Sequence, residues 1–210
     1  MANSGVHVLD HPLIQHKLTR LRDADTPPDV FRAVLAQIAG LMVFEISQDL
    51  PLCDVQVQTP LEITTSRRLG GPVTVVPILR AGIGMSDGIT RLMPEARTGH
   101  IGLYRNEDTL QPVEYYCKLP DDIADGPVFL VDPMLATGGS AIAAIEALQQ
   151  RGCSDVRFVC LVASPEGVVA LTEACADVPV YTAAIDRQLN EVGYILPGLG
   201  DAGDRVFGTR

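Results

Sequence analysis

At 210 residues and 47% hydrophobic content, the chain is long enough to bury one sizeable core, and a single domain spanning 1–210 is expected. A formal charge of −10, a pI near 4.7, no tryptophan and 5% aromatic content exclude a general polyanion binder or a stacking platform for exposed nucleic acid. Five scattered cysteines (Cys53, Cys117, Cys153, Cys160, Cys175) without a C-x-x-C pair read as reduced thiols, mostly small core hydrophobes. No stretch approaches a membrane span and no charged-then-apolar signal opens the chain, so a cytoplasmic protein with no membrane or nucleic-acid partner is expected.

His7, His11 and His16 crowd the start, but Pro12 interrupts any helix joining the first two and no cysteine cluster accompanies them, so no metal site is expected there. His11–Arg22 and Pro27–Gln48 then read as helices. The second carries Val30, Val34, Ile38, Leu41, Met42 and Glu45 along a face, with Thr26 as the expected cap ahead of two prolines. From Val55 to Thr65 the pattern alternates and is extended, ending in Arg67, Arg68, Gly70 and Gly71. This stretch reads as an arm placed to embrace a partner subunit, and 1–72 as a helical and extended lead-in to the core. Over 73–185, strands near 73–79, 97–104, 127–132, 156–163 and 178–184 alternate with helices near 85–92, 141–151 and 166–175. Such alternation predicts an α/β fold with a mostly parallel, doubly wound sheet.

Within that frame, residues 128–140 (VFLVDPMLATGGS) begin as a strand buried on both faces, place Asp132 at its carboxyl end and close on Thr137, Gly138, Gly139 and Ser140. Ile142, Ile145 and Leu148 then recur at helical spacing until Gly152. The loop therefore opens a helix amino terminus, where free N–H groups and the positive dipole end favour a phosphate. No lysine follows the glycines, which excludes a P-loop NTPase motif. Asp132, at the strand end, is placed to hold the hydroxyls of a sugar whose phosphate lies in the loop. The plainer alternative is an ordinary strand-loop-helix connection in which Thr-Gly-Gly-Ser turns the chain and caps the helix.

Val73–Leu79 is a second apolar strand, ending in Arg80 beside Gly82 and Gly84. An arginine there suits a cluster of anionic oxygens, or is simply a surface arginine. Pro77 is out of place in a central strand. His100–Arg105 and Val113–Lys118 pair as a long hairpin across a polar tip, 106–111. Arg105 at its base is placed to swing onto an anionic group and exclude water, unless Arg105, Glu107 and Asp108 form only a solvated turn. The last segment has Gly193, Gly198, Gly200, Gly203 and Gly208 interleaved with Tyr194, Ile195, Leu196, Leu199 and Phe207. It reads as a long ordered loop whose backbone can approach a flat base, with Asp201 and Asp204 otherwise serving turns and capping.

DPMLATGGS resembles the phosphoribosyl-diphosphate (PRPP) signature of the type I phosphoribosyltransferases, in the form of their uracil branch. Pro133 stands where other branches carry a second acid. VVPILRAGIGM (75–85) is similar to that branch's pyrophosphate loop, GLYRNEDTLQPVEYYCKLP (102–120) to its flap and GYILPGLGDAGDRVFGT (193–209) to its base-binding segment, so the resemblance covers nearly the whole chain. It implies 5-phosphoribose transfer from PRPP to N1 of uracil, giving UMP and pyrophosphate. It places Arg80, Arg105, Asp132, Pro133, Met134, Leu135, Ala136, Thr137, Gly138, Gly139, Ser140 and Asp201 on PRPP. It places Ile195, Gly200, Asp201 and Ala202 on uracil within 186–210, and it makes Asp132, Arg105 and Asp201 the catalytic group. Mg²⁺ is the implied cofactor, with no direct protein ligand and Asp201 reaching it through water. A homodimer or higher homo-oligomer is implied, GTP activates some members, and a cis peptide near Leu79 and Arg80 is a family possibility. Two rivals remain: a regulator that keeps this fold as a nucleotide sensor and binds RNA, opposed by the acidic balance and the GDAG segment, and an enzyme for another base, opposed by Pro133 and the tail.

Overall fold

The computed structural model describes residues 5–105 and 112–209. Among these, the strands are Val6–Val8 (β1), Leu52–Gln58 (β2), Ile63–Leu69 (β3), Thr74–Leu79 (β4), Arg97–Thr98 (β5), His100–Arg105 (β6), Pro112–Lys118 (β7), Val128–Val131 (β8), Met134–Leu135 (β9), Val156–Ala163 (β10), Val180–Ile185 (β11), Gln188–Leu189 (β12) and Ile195–Leu196 (β13). The α-helices are Pro12–Arg22 (α1), Pro28–Ile46 (α2), Ile83–Leu92 (α3), Gly139–Gln149 (α4), Pro165–Ala174 (α5) and Ala202–Phe207 (α6). No helix among the described residues is long and apolar enough to cross a membrane.

The central sheet runs β1-β11-β10-β8-β4-β6-β7, with β5 on β4 and β9 on β10. Every pairing from β1 to β6 is parallel, and only β6–β7 is antiparallel. All four residues of β8 and all eight of β10 are buried, as strands covered on both faces require. Alternation divides them between two cores. Phe129 and Val131 face a cluster with Leu35, Ile38 and Met42 of α2 and Met85 and Ile89 of α3, whereas Val128 and Leu130 face one with Ile145 and Leu148 of α4 and Leu171 of α5. After β4 the chain leaves for β6 on one side, and after β8 for β10 on the other, so the carboxyl ends of β4 and β8 flank the crevice where such sheets bind ligands.

Pro77 sits inside β4, opposite Val131. The carbonyls of Val73 and Val75 accept from Arg97 and Gly99, so alternate residues, Pro77 included, turn towards β5 and β6. There pairing breaks between Thr98 and His100, and Pro77 costs little because the ladder is already interrupted at that place.

Several elements differ from the sequence expectation. The arm is a closed hairpin, β2–β3, turned at Thr59–Glu62, and Arg67 and Arg68 lie within its return strand. Thr26 does not cap α2: Pro27 holds the cap position and the Thr26 hydroxyl donates to Arg20 O at 2.6 Å. β1 adds an edge strand, β12–β13 form a small ladder, and α6 is a helix inside the segment expected to be a loop.

Candidate active site

β4 ends at a cis Leu79–Arg80 peptide, the non-proline cis bond expected in this loop, and α3 begins three residues later at Ile83. Between them Gly82 donates its N–H to Ile78 O at 3.0 Å and passes so close to β8 that a Cβ there would lie 2.4 Å from Val131 O. Only a glycine fits between the two strand ends, so the Arg80 loop and Asp132 are neighbours by packing.

Asp132 is half-buried, with its N–H donating to Val159 O at 3.1 Å. Burial pushes its carboxyl up to about 7, against a lowering contribution from the Met134 backbone N–H. The nearby Cys160 thiol is itself pushed up to about 12 by burial and remains neutral. Asp132 is therefore a half-buried acid with a raised pKa, poised to be ionised by a ligand that donates hydroxyls or brings positive charge. Pro133 O accepts from both Leu161 N and Val162 N, which ties the loop to β10. Thr137 and Ser140 are exposed, and Gly138, at φ +85°, precedes α4 with no side chain capping the helix start. The plainer reading, in which Thr-Gly-Gly-Ser serves to cap the helix, leaves this uncapped amino end unexplained. An anion would satisfy it.

Sequence reading missed the support beneath this loop. The buried Ser164 hydroxyl donates to Ala136 O at 2.6 Å and accepts from Gly167 N at 2.8 Å, so the start of α5 holds the loop from below. The helix-start pattern Ser-Pro-Glu at 164–166 was the available signal.

The carboxyl-terminal segment reaches the same edge. Ile195, Leu199, Ala202 and Val206 are buried, while Gly200 is exposed. Asp201 caps α6, its Oδ1 accepting from Asp204 N at 2.8 Å, which fixes the carboxylate's direction. Arg80 meets α6 twice: its Nη2 lies 3.9 Å from Asp204 Oδ1, and its guanidinium lies 5.6 Å from the centre of the Phe207 ring. The structure thus brings together the segments carrying Arg80, Asp132 to Ser140, and Gly200 to Ala202. β6 continues this edge beside β4, with Ile101 opposite Ile78 and Gly102 opposite Leu79, and carries the backbone of Arg105 beyond it. The Arg105 side chain and the tip 106–111, with Glu107 and Asp108, lie outside the described residues.

Among the described residues, no group of three or more His, Cys, Asp or Glu side chains gathers to hold a metal. The edge instead offers the carboxylate of Asp132 and, past the Arg80 loop, those of Asp201 and of Asp204, the last beside Arg80. Such a donor set fits a hard divalent cation that keeps water and completes its shell from a ligand's own oxygens.

A family model described as uracil phosphoribosyltransferase matches residues 8–209. A uracil phosphoribosyltransferase of Enterococcus faecalis is 61% identical over 204 residues, covering 97% of this chain and 98% of the relative. One of Streptococcus pneumoniae is 58% identical over 206 residues, covering 98% and 99%. A solved structure of a protein from Aquifex aeolicus superposes with a TM-score of 0.92 at 35% identity, covering 96% of this chain and 97% of that one. A hypoxanthine-guanine phosphoribosyltransferase of Bacillus anthracis, 12% identical with a TM-score of 0.53 over 76% of this chain and 80% of that one, shares the fold.

Proposed function

The chain belongs to the uracil phosphoribosyltransferase family and transfers 5-phosphoribose from PRPP to uracil, giving UMP and pyrophosphate; we propose that it does so as one domain, with the loops at the carboxyl edge of its sheet dividing the substrates between them. The observation that carries this division is the packing of Gly82 against Val131 O together with the reach of Arg80 to Asp204 and Phe207. These contacts bring three of the four motif segments to one edge.

Uracil is a weak nucleophile, so the bond from the anomeric carbon to pyrophosphate breaks well ahead of attack by N1. The electron pair leaves with pyrophosphate, positive charge spreads to the ring oxygen, and N1 gives up its proton to the departing pyrophosphate or to water as the new C–N bond forms. The protein's task is therefore electrostatic. In this reading the backbone from Ala136 to Ser140, with the start of α4, holds the 5-phosphate, and Pro133 to Leu135 tie that loop to β10. Asp132 accepts from the ribose hydroxyls and, once ionised, favours the cationic sugar. Arg80 and Arg105 grip the pyrophosphate. The backbone of Ile195, Gly200, Asp201 and Ala202 reads the uracil edge, and the Asp201 carboxylate, which caps α6, carries charge to the same edge. Mg²⁺ fits as a group held chiefly by substrate oxygens and water beside Asp132 and Asp201, and would neutralise the leaving group.

A cytoplasmic homodimer or higher homo-oligomer, with GTP as a candidate effector, completes the proposal. The β2–β3 ribbon supports a partner subunit because it stands largely exposed, with Leu61 and Ile63 uncovered. Isotope effects on PRPP test the chemistry. A large secondary tritium effect at the anomeric position with a small primary carbon effect is expected; the opposite pattern, that of a concerted displacement, would contradict it.

A further inference from the structure

The end of α1 and the carboxyl-terminal segment exchange arginines. From α1, Arg22 donates to both carboxylate oxygens of Asp186 at 2.8 and 2.7 Å, and its Nη1 also donates to Gly198 O at 3.1 Å. Asp186 Oδ2 accepts in turn from Gly198 N at 2.8 Å. From α6, Arg205 lies 4.4 Å over the Phe31 ring, donates to the carbonyls of Leu21 and Asp23, and donates to Leu199 O at 2.9 Å. Both polar groups of Gly198 and the carbonyl of Leu199 are thus held, immediately before Gly200.

The anchor of this arrangement is the sheet. Asp186 follows β11, its side chain is 5% exposed, and its N–H donates to Ala163 O at 2.8 Å at the end of β10. A bidentate arginine on a buried carboxylate is costly to desolvate and contributes little that well-packed apolar side chains would not. Its advantage is direction: a planar fork fixes angle as well as distance. Gly198, with φ +62° and a Cβ position only 2.2 Å from Ile195 O, tolerates no other residue at the point the fork grips. A base read by backbone groups has no side-chain rotation to absorb an error, so the placement of Gly198 and Leu199 passes directly to the next three residues.

We infer that Arg22, Asp186 and Arg205 are positioning residues for the base: acting through Gly198 and Leu199, they set the backbone of Gly200, Asp201 and Ala202 and so determine how tightly uracil is held. The inference rests on the reading that this segment takes the base.

The test is steady-state kinetics and thermal melting of Asp186→Asn and Arg22→Lys, with Asp155→Asn as control. Asp155 belongs to another ion group, in which the buried Arg157 donates to the more exposed Asp155 and Asp49 and to Ile46 O; among the described residues these hydrogen bonds do not reach the base segment. The expected result is a rise in KM for uracil of about tenfold or more, with KM for PRPP kept within about twofold. The control loses thermal stability while keeping both constants. A parallel rise of both KM values in Asp186→Asn, or a lowered melting temperature with both constants unchanged, overturns the inference. Should Asp186→Asn not fold, Arg22→Lys and Arg205→Lys, which keep the charge and lose the fork, are judged by the same split. Failure of the parent reading would show separately: base-segment variants such as Asp201→Ala would leave uracil kinetics untouched, and the inference would fall with it.

Discussion

Gly82 lies against the carbonyl oxygen of Val131, so close that a methyl group at its Cα would stand 2.4 Å from that oxygen. This contact sets the spacing between the loop that presents Arg80 and the strand that ends in Asp132. Gly82→Ala must push the two apart. The expected cost is about 1–3 kcal/mol of stability and a loss of ~100-fold in kcat/KM for PRPP, measured by melting and initial rates. Rates like those of the unaltered protein would show that the spacing does not matter to the reaction.

Asp132 carries a pH signature. Its carboxyl is pushed up to about 7 in the folded protein, whereas an unfolded aspartate releases its proton near pH ~4. Between those values the folded chain binds more protons, so the contribution of this group to stability falls as pH rises through the window. Asp132→Asn should flatten that part of the stability profile. Ribose hydroxyls donate best to the ionised form, so PRPP binding at pH 6 should release more protons from the unaltered protein than from the variant, the phosphates of PRPP contributing equally to both. Calorimetry in two buffers of different ionisation heat reads this directly. Turnover of Asp132→Asn should fall by about 10²–10³-fold.

Asp201 has two separable duties, capping α6 and carrying charge to the site. Asp201→Ala removes both and should cost about 1 kcal/mol of stability, whereas Asp201→Asn keeps an oxygen for the Asp204 N–H and should melt close to the unaltered protein. Turnover should fall in both. A fully active Asp201→Asn would leave capping as the residue's only role.

Arg105 follows the stretch of β6 that pairs with the end of β4. Arg105→Ala should lower kcat and raise the fraction of PRPP lost to hydrolysis, because the pyrophosphate loses a clamp and the site a barrier to water. Pyrophosphate release without a matching yield of UMP is the measurement; unchanged coupling would remove Arg105 from the proposal.

The sequence carried the core plainly because its signals are local. The runs at Val128–Val131 and Val156–Ala163 look buried on both faces and are. The break from strand to glycine to helix marks each loop of the edge. What escaped notice depends on partners distant in the chain. β1, three residues long, exists because Val6, His7 and Val8 pair with Val180, Tyr181 and Thr182. In α6 the buried apolar positions are Ala202 and Val206, one turn apart and obscured by Gly203 and Gly208, and the helix is set by the Asp201 cap and by contact with α2. Thr59-Pro60 marked the turn that closes the β2–β3 hairpin, but the alternating run around it reads equally well as one extended arm. Arg22 and Asp186 meet across 164 positions, and no local pattern pairs them, although an acid after an apolar strand at the binding edge was the same signal that marked Asp132.

The most direct test is pyrophosphate release from PRPP and Mg²⁺ with uracil, cytosine, hypoxanthine or adenine, each with and without GTP. Turnover with uracil alone is predicted. Turnover with a purine, or RNA binding without turnover on any base, would contradict it.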